Sequence, residues 1–153
     1  MHKKEKYKCS VGKNGIRRYK MEGDLCTPTG VFELGPIYFR KDRIPKLNTK
    51  MKKFSIEKNM YWEDDPKEKN YNKLSFNKKK MSESLYRKDN IYDIVLVINY
   101  NNNPIIPKRG SALFMHITKE NYLPTKGCIA LKKTDMINII GKLTPTEKIL
   151  ISF

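Results

Sequence analysis

The chain has 153 residues and carries 32 Lys and Arg against 16 Asp and Glu, which gives a formal net charge of +16. This length is enough to bury a core, and we expect residues 1–153 to form a single, monomeric domain. The sequence has no run of about 18 apolar residues, which excludes a membrane-spanning helix, and its basic N-terminus lacks the apolar stretch of a secretory signal peptide.

The basic residues are scattered along the chain, and the longest run is Lys78 to Lys80. A positive balance favours anionic partners such as nucleic acid, an acidic membrane surface or an anionic polymer. We favour a solvated, non-specific basic surface, and we expect no nucleic-acid partner, because the chain has no RNP, zinc-knuckle or helix-turn-helix pattern. Three cysteines without a CxxC pair predict that no metal is bound.

The first third of the chain predicts short strands. Residues 7–11 form a strand pattern, the Asn14–Gly15 pair suits a tight turn, and residues 16–21 read as the return strand of a hairpin. Residues 30–39 are rich in β-branched and aromatic side chains and predict a strand with a Gly-Pro break. Residues 40–80 form a long polar excursion, whose aromatic residues predict that it is at least partly docked.

The second half predicts a sheet with one clear helix. Residues 92–100 form an apolar run that predicts a central strand buried on both faces. The helix is expected to start at Thr134 as N-cap and to end at Gly141 in a left-handed cap. Further short elements are expected as a helical turn at 81–89 and strands at 112–117, 128–131 and 147–153. The fold class is therefore mainly β with one or two short helices.

His116 and Cys128 are the candidate reactive pair. A thiolate is a potent nucleophile, but a free cysteine titrates near pH ~8.5, so only a small fraction is thiolate at neutrality; a neighbouring histidine can take the proton or hold an ion pair with the thiolate. A strand carrying His116 beside an element that begins at Cys128 would bring the two side chains together. Gly127 allows a tight turn there, and its N–H with that of Cys128 can face a developing oxyanion. Taken alone, this spacing is only suggestive.

Three stretches resemble the L,D-transpeptidase catalytic domain, the YkuD family. The first is His116, a loop, and then Thr125-Lys126-Gly127-Cys128, which is similar to the family's nucleophile motif. The second is "GDLCTPTGVFEL" at 23–34, and the third is the lead-in "RGSALFMH" at 109–116. The mid-chain "W-x-DDP" and "YN" motifs resemble a divergent, soluble branch. The chain departs from the best-known members at Lys126, where they carry His, and at Ala130, where they carry Arg or Asn.

The resemblance implies an L,D-transpeptidase-like β-sandwich of mixed sheets and a cysteine acyltransferase that requires no cofactor. Its partners would be peptidoglycan stem peptides, as acyl donor and as acceptor. Cys128 would form a thioester, and His116 would act as general base and acid, oriented by the Ile117 carbonyl. Backbone N–H groups of Lys126, Gly127 and Cys128 would form the oxyanion hole, and the Lys126 charge would favour the thiolate.

Six further residues are candidates for substrate binding: Thr125, Arg109, Trp62, Asp64, Tyr71 and Asn72. Trp62 is also a natural packing residue, and Arg109 is also a natural solvated turn residue. The function implies a place in the cell envelope or periplasm, whereas the missing signal peptide leaves the cytoplasm open. Three alternatives remain at this point: an L,D-carboxypeptidase or other amide hydrolase, a pseudo-enzyme that binds cell-wall peptides, and a basic nucleic-acid-binding domain.

Overall fold

The computed structural model describes residues 4–153. Within them the fold is mainly β, with one short α-helix, α1 (Lys133–Lys142), and one turn of 3-10 helix at Glu120–Tyr122. The strands in chain order are β1 Cys9–Ser10, β2 Ile16–Arg17, β3 Thr27–Pro28, β4 Gly30–Phe39, β5 Lys53–Ser55, β6 Tyr61–Trp62, β7 Leu74–Ser75, β8 Glu83–Ser84, β9 Ile94–Ile98, β10 Phe114–Ile117, β11 Ile129–Leu131 and β12 Lys148–Ile151. The predicted fold class is confirmed.

The main sheet has seven strands in the order β1-β11-β10-β9-β4-β12, with β5 also paired to β4. It is mixed, because β10 and β11 run parallel while β9 pairs antiparallel with both β10 and β4. The predicted break in β4 is a register shift between Leu34 and Ile37, and the strand continues through it. A three-stranded sheet, β7-β6-β8, and a two-stranded pair, β2-β3, complete the strands.

Strand β9 is buried on both faces, as its apolar run predicted. Ile94, Leu96 and Ile98 join the larger core cluster, which also takes Met136 and Ile140 from α1. Val95 and Val97 point the other way into a second cluster that contains Phe114 and Trp62. Every second residue of a strand lies on the same face, so one apolar strand serves both clusters.

The polar excursion at 40–80 covers the second face of the main sheet. Ile56, Met60 and Trp62 belong to the second core cluster, and Tyr71 is also buried. The strand β6 at its centre pairs with β7 and with β8. The prediction that this segment is docked is therefore confirmed, and it contributes Asp64 to the lining of the site described below.

The predicted N-terminal hairpin is wrong. A turn does form, since Gly15 has φ +86° and donates to the Gly12 carbonyl. However, β1 pairs with β11 and β2 pairs with β3, so the two arms diverge. Partners distant in sequence satisfy these backbone groups, and a local turn signal cannot reveal them.

The helix boundaries and the predicted turn at 81–89 also differ from expectation. Lys132 is the N-cap residue and makes no side-chain cap, whereas Thr134 lies inside α1. Gly141 is helical, and the Leu143 N–H closes the end by donating to the Ile139 carbonyl. Glu83–Ser84 is strand β8, because pairing with β6 overrides the local helical preference. Among residues 4–153 no helix is long and apolar enough to cross a membrane.

Candidate active site

The parallel pairing of β10 and β11 brings His116 and Cys128 to one cavity. His116 is in register with Ala130, and Cys128 lies two residues before Ala130 on the same side of the chain. Both side chains line a cavity of about 410 Å³ on the face of the sheet that the excursion covers. The loop that joins the two strands therefore returns the cysteine to the neighbourhood of the histidine.

His116 is held as a neutral base. Its side chain is buried, with Nδ1 2.8 Å from the Ile117 carbonyl oxygen, and the Tyr92 ring packs edge-on against the imidazole. A carbonyl oxygen can only accept, so Nδ1 carries the proton and Nε2 has a free lone pair. Burial lowers the pKa of His116 below its ordinary value, which keeps Nε2 unprotonated at neutral pH.

Cys128 is held as a neutral thiol. Its Sγ donates to the Ala112 carbonyl at 3.1 Å and accepts from the Phe114 N–H at 3.4 Å. Burial, and after it the charge of Glu83, raises the pKa of Cys128 to about 12. Within residues 4–153 no hydrogen bond joins this sulfur to His116. Both the thiol of Cys128 and the imidazole of His116 are therefore neutral in this structure.

The turn before Cys128 is fixed by two threonine hydroxyls. Thr125 Oγ1 donates to the Cys128 carbonyl at 2.6 Å and accepts the Gly127 N–H at 3.0 Å. Thr27, fully buried in the "TP" stretch, donates to the Gly127 carbonyl at 2.7 Å. Gly127 has φ +142°, and a Cβ there would lie 2.8 Å from the Cys26 carbonyl oxygen, so the position requires glycine.

These bonds decide which backbone donors can face a substrate. The Gly127 N–H is already donated to Thr125. The Gly127 carbonyl points to Thr27, and in a trans peptide the next N–H points the opposite way. The Cys128 N–H is therefore directed away from Thr27, and neither threonine hydroxyl accepts it.

A family model described as YkuD, the L,D-transpeptidase catalytic domain, matches residues 2–151. The chain belongs to this family. No curated protein and no solved structure shows significant similarity to it. The match covers nearly the whole chain, and it spans all three stretches on which the resemblance was based.

Four of the residues predicted from the YkuD resemblance line the cavity with the reactive pair: Thr125, Lys126, Gly127 and Asp64. Lys126 is exposed, and the positive charge that lowers the pKa of Cys128 comes from Lys20 instead. Asp64 has a buried Oδ1 atom with no partner among residues 4–153. Burial, and then the charge of Glu83, raises its pKa to about 6.

The other predicted substrate contacts do not line the cavity of this YkuD domain. Trp62 is buried and donates to Asn72 Oδ1 at 3.0 Å, and the same oxygen accepts the Ala112 N–H. Tyr71 donates to Glu22 at 2.8 Å and so positions a residue that does line the cavity. Arg109 is exposed. Packing and hydrogen bonding explain Trp62, Asn72 and Tyr71. Arg109 matches the alternative expectation of a solvent-exposed turn residue.

Lining residues that the sequence did not single out include Lys20, Glu22, Glu83 and Tyr92. Lys20 and Glu22 directly precede the Gly23–Asp24 motif, which was a usable signal. Glu83 and Tyr92 lie in stretches without any motif, and only the pairing of β8 with β6 brings Glu83 to the site. No group of three or more His, Cys, Asp or Glu residues within 4–153 is arranged to hold a metal ion.

Proposed function

We propose that this chain is an L,D-transpeptidase that forms a thioester between Cys128 and a peptidoglycan stem peptide and transfers the acyl group to an amine. The observation that carries the proposal is the shared cavity of Cys128 and His116, with Nε2 of the histidine free to accept a proton. Membership of the YkuD family supports the same chemistry.

The first half-reaction is acylation. As Sγ of Cys128 attacks the carbonyl carbon that follows the L-configured centre of the donor stem, its proton moves to Nε2 of His116. The carbonyl oxygen becomes an oxyanion, and the Cys128 N–H donates to it in this proposal. When the tetrahedral centre collapses, the C–N bond breaks. The leaving D-amino acid takes the proton back from His116, which leaves a thioester and a neutral histidine.

The second half-reaction is transfer. The acceptor amine attacks the thioester carbonyl and gives one proton to His116 Nε2. The C–S bond then breaks, and the sulfur of Cys128 recovers that proton. With an amine from a second stem the product is a cross-link, and with water it is the hydrolysed stem of an L,D-carboxypeptidase. A peptidoglycan substrate implies that the protein acts in the cell envelope.

The test is to incubate the purified protein with a disaccharide-tetrapeptide and to identify the products by mass. We expect released D-Ala and a cross-linked dimer. Cys128→Ala should remove both products, whereas Cys9→Ala, which changes an exposed free thiol, should leave them unchanged. Release of D-Ala without dimer at any acceptor concentration would replace the transpeptidase by the carboxypeptidase. If neither product forms, the chain binds cell-wall peptides without acting on them or has another role.

A further inference from the structure

Lys20 is a buried cation inside the cavity that holds Cys128. Only 6% of its side chain is exposed, and its Nζ lies 2.9 Å from Asp24 Oδ1. Most lysines keep the ammonium group in water because its desolvation is costly. In a chain with so many exposed lysines, one that is folded into a cavity and paired there needs a specific explanation.

Two glycines leave the space that this lysine occupies. A Cβ added at Gly110 would lie 2.9 Å from Lys20 Cε, and a Cβ added at Gly127 would lie 3.3 Å from Lys20 Nζ. Gly110 leads into strand β10, which carries His116, and Gly127 directly precedes Cys128. The aliphatic part of Lys20 thus passes one glycine, and its ammonium group ends beside the other.

Asp24 fixes the ammonium group without using all of its protons. The carboxylate also accepts the Met21 N–H at 2.7 Å and the Cys26 N–H at 2.9 Å, so its own position is set by the backbone. An ammonium group has three protons, and one is donated to Asp24. Two protons remain on the ammonium group, which is held next to the turn at Gly127 that precedes Cys128.

Charged and titratable side chains of both signs line the cavity that holds the thiol. They are Lys20 and Glu22 from the segment after β2, Asp64 from the segment after β6, Glu83 from β8, Arg87 and Tyr92 from the segment between β8 and β9, His116 from β10, Lys119 from the segment after β10, and Lys126 from the segment before β11. Burial and Glu83 oppose ionisation of Cys128, whereas the hydrogen bond from the Phe114 N–H and, after it, the charge of Lys20 favour ionisation. The Gly127 N–H is donated to Thr125, which reduces the backbone contribution.

We propose that Lys20 is the cation that stabilises the negative charge formed at Cys128 during attack. Asp24 holds its ammonium group in place, and the missing side chains of Gly110 and Gly127 leave room for it. Lys20 makes no hydrogen bond to the sulfur. Its positive charge acts at a distance by lowering the free energy of the negatively charged sulfur. This inference rests on Cys128 being the nucleophile of the proposed function. It adds a lysine outside the nucleophile motif to the residues on which that reaction depends.

The test is the pH dependence of alkylation of Cys128 by iodoacetamide, followed on its own peptide by mass. We expect Lys20→Met to slow Cys128 about tenfold near pH 8 and to move its profile to higher pH, since one pKa unit corresponds to tenfold in thiolate. Lys20→Arg should retain most of the rate. Exposed Cys9 is the internal control in every sample, and Lys13→Met removes the same charge from an exposed side chain.

Lys20→Met leaves Asp24 without its partner, so a second variant, Lys20→Met with Asp24→Asn, removes both charges together. Thermal unfolding of each variant reports whether the fold is retained. A shifted profile with kcat lowered and KM unchanged supports the inference. A Cys128 profile in the double variant that matches the wild type overturns it. The alkylation needs no stem peptide, so a shift without any transpeptidation would contradict the proposed function alone.

Discussion

At the scale of single residues, the site holds both members of the reactive pair in their neutral forms. Burial raises the pKa of Cys128 and lowers that of His116, and each shift disfavours the charged form. In the proposed reaction, the thiol proton would therefore move to His116 as the sulfur attacks. The Phe114 N–H and Lys20 would stabilise negative charge on the sulfur, and the Cys128 N–H would stabilise the oxyanion.

Asp64 gives the first prediction, which concerns stability. Its folded pKa is about 6, above the ordinary 3.8, so its contribution to stability is full below pH 3.8 and is lost as the pH rises through 6. We expect Asp64→Asn to raise the Tm at pH 7.5 and to give a smaller gain, or none, at pH 4. Thermal unfolding of both proteins at the two pH values measures this. An equal Tm difference between Asp64→Asn and the wild type at both pH values would contradict the raised pKa of Asp64.

At the scale of elements, the residues that could be predicted are those with a strong local pattern. The apolar run of β9 and the short apolar strands β10, β11 and β12 were evident from side-chain type alone. The two-residue strands from β6 to β8 were not, because their backbone groups find partners far away in the chain. The same holds for the residues of the site. His116 and Cys128 belong to a sequence motif and could be predicted, whereas Glu83 is brought to the cavity by the pairing of β8 with β6, which no local pattern reveals.

Asn72 links two of these elements and gives the second prediction. Its side-chain oxygen accepts from Trp62 and from the Ala112 N–H, and its amide nitrogen donates to the carbonyls of Tyr100 and Asn101. It thereby ties the excursion to the segment that enters β10. We expect Asn72→Ala to lower the free energy of unfolding by roughly 2–4 kcal/mol, because several of these buried partners lose their hydrogen bonds.

Chemical denaturation of Asn72→Ala and of a matched variant checks this expectation. Asn77→Ala removes the same side chain from an exposed position and should change the free energy of unfolding by less than about 0.5 kcal/mol. If both variants unfold at the same denaturant concentration as the wild type, Asn72 does not hold the two elements together. Loss of acyl transfer in Asn72→Ala alone would further indicate that this link positions the site.

At the scale of the whole molecule, the net charge is strongly positive. The formal net charge is +16, whereas the cavity lining carries both signs, with Glu22, Asp64 and Glu83 beside Lys20, Arg87, Lys119 and Lys126. A broadly basic surface gathers an anionic polymer through long-range attraction, which salt screens within about 8 Å at physiological ionic strength. A small soluble substrate depends far less on that attraction.

The third prediction follows from this difference. Raising the salt concentration from about 50 to about 500 mM should lower the activity on whole sacculi more than the activity on a soluble disaccharide-tetrapeptide, because screening weakens attraction to the extended polymer. The two rates are compared at each salt concentration with the same enzyme preparation. Equal losses on both substrates would show that the basic surface does not gather the polymer.

The central claim is that Cys128 carries the acyl group, and the most direct measurement is the mass of the protein during turnover. After brief mixing with a disaccharide-tetrapeptide and acid quenching, we expect a population of the protein heavier by the mass of the disaccharide-tetrapeptide less that of D-Ala, with the adduct on the Cys128 peptide. The adduct should be removed by hydroxylamine, as thioesters are, and should be nearly absent in His116→Ala. Turnover by Cys128→Ala, or an adduct on any other residue, would contradict the account.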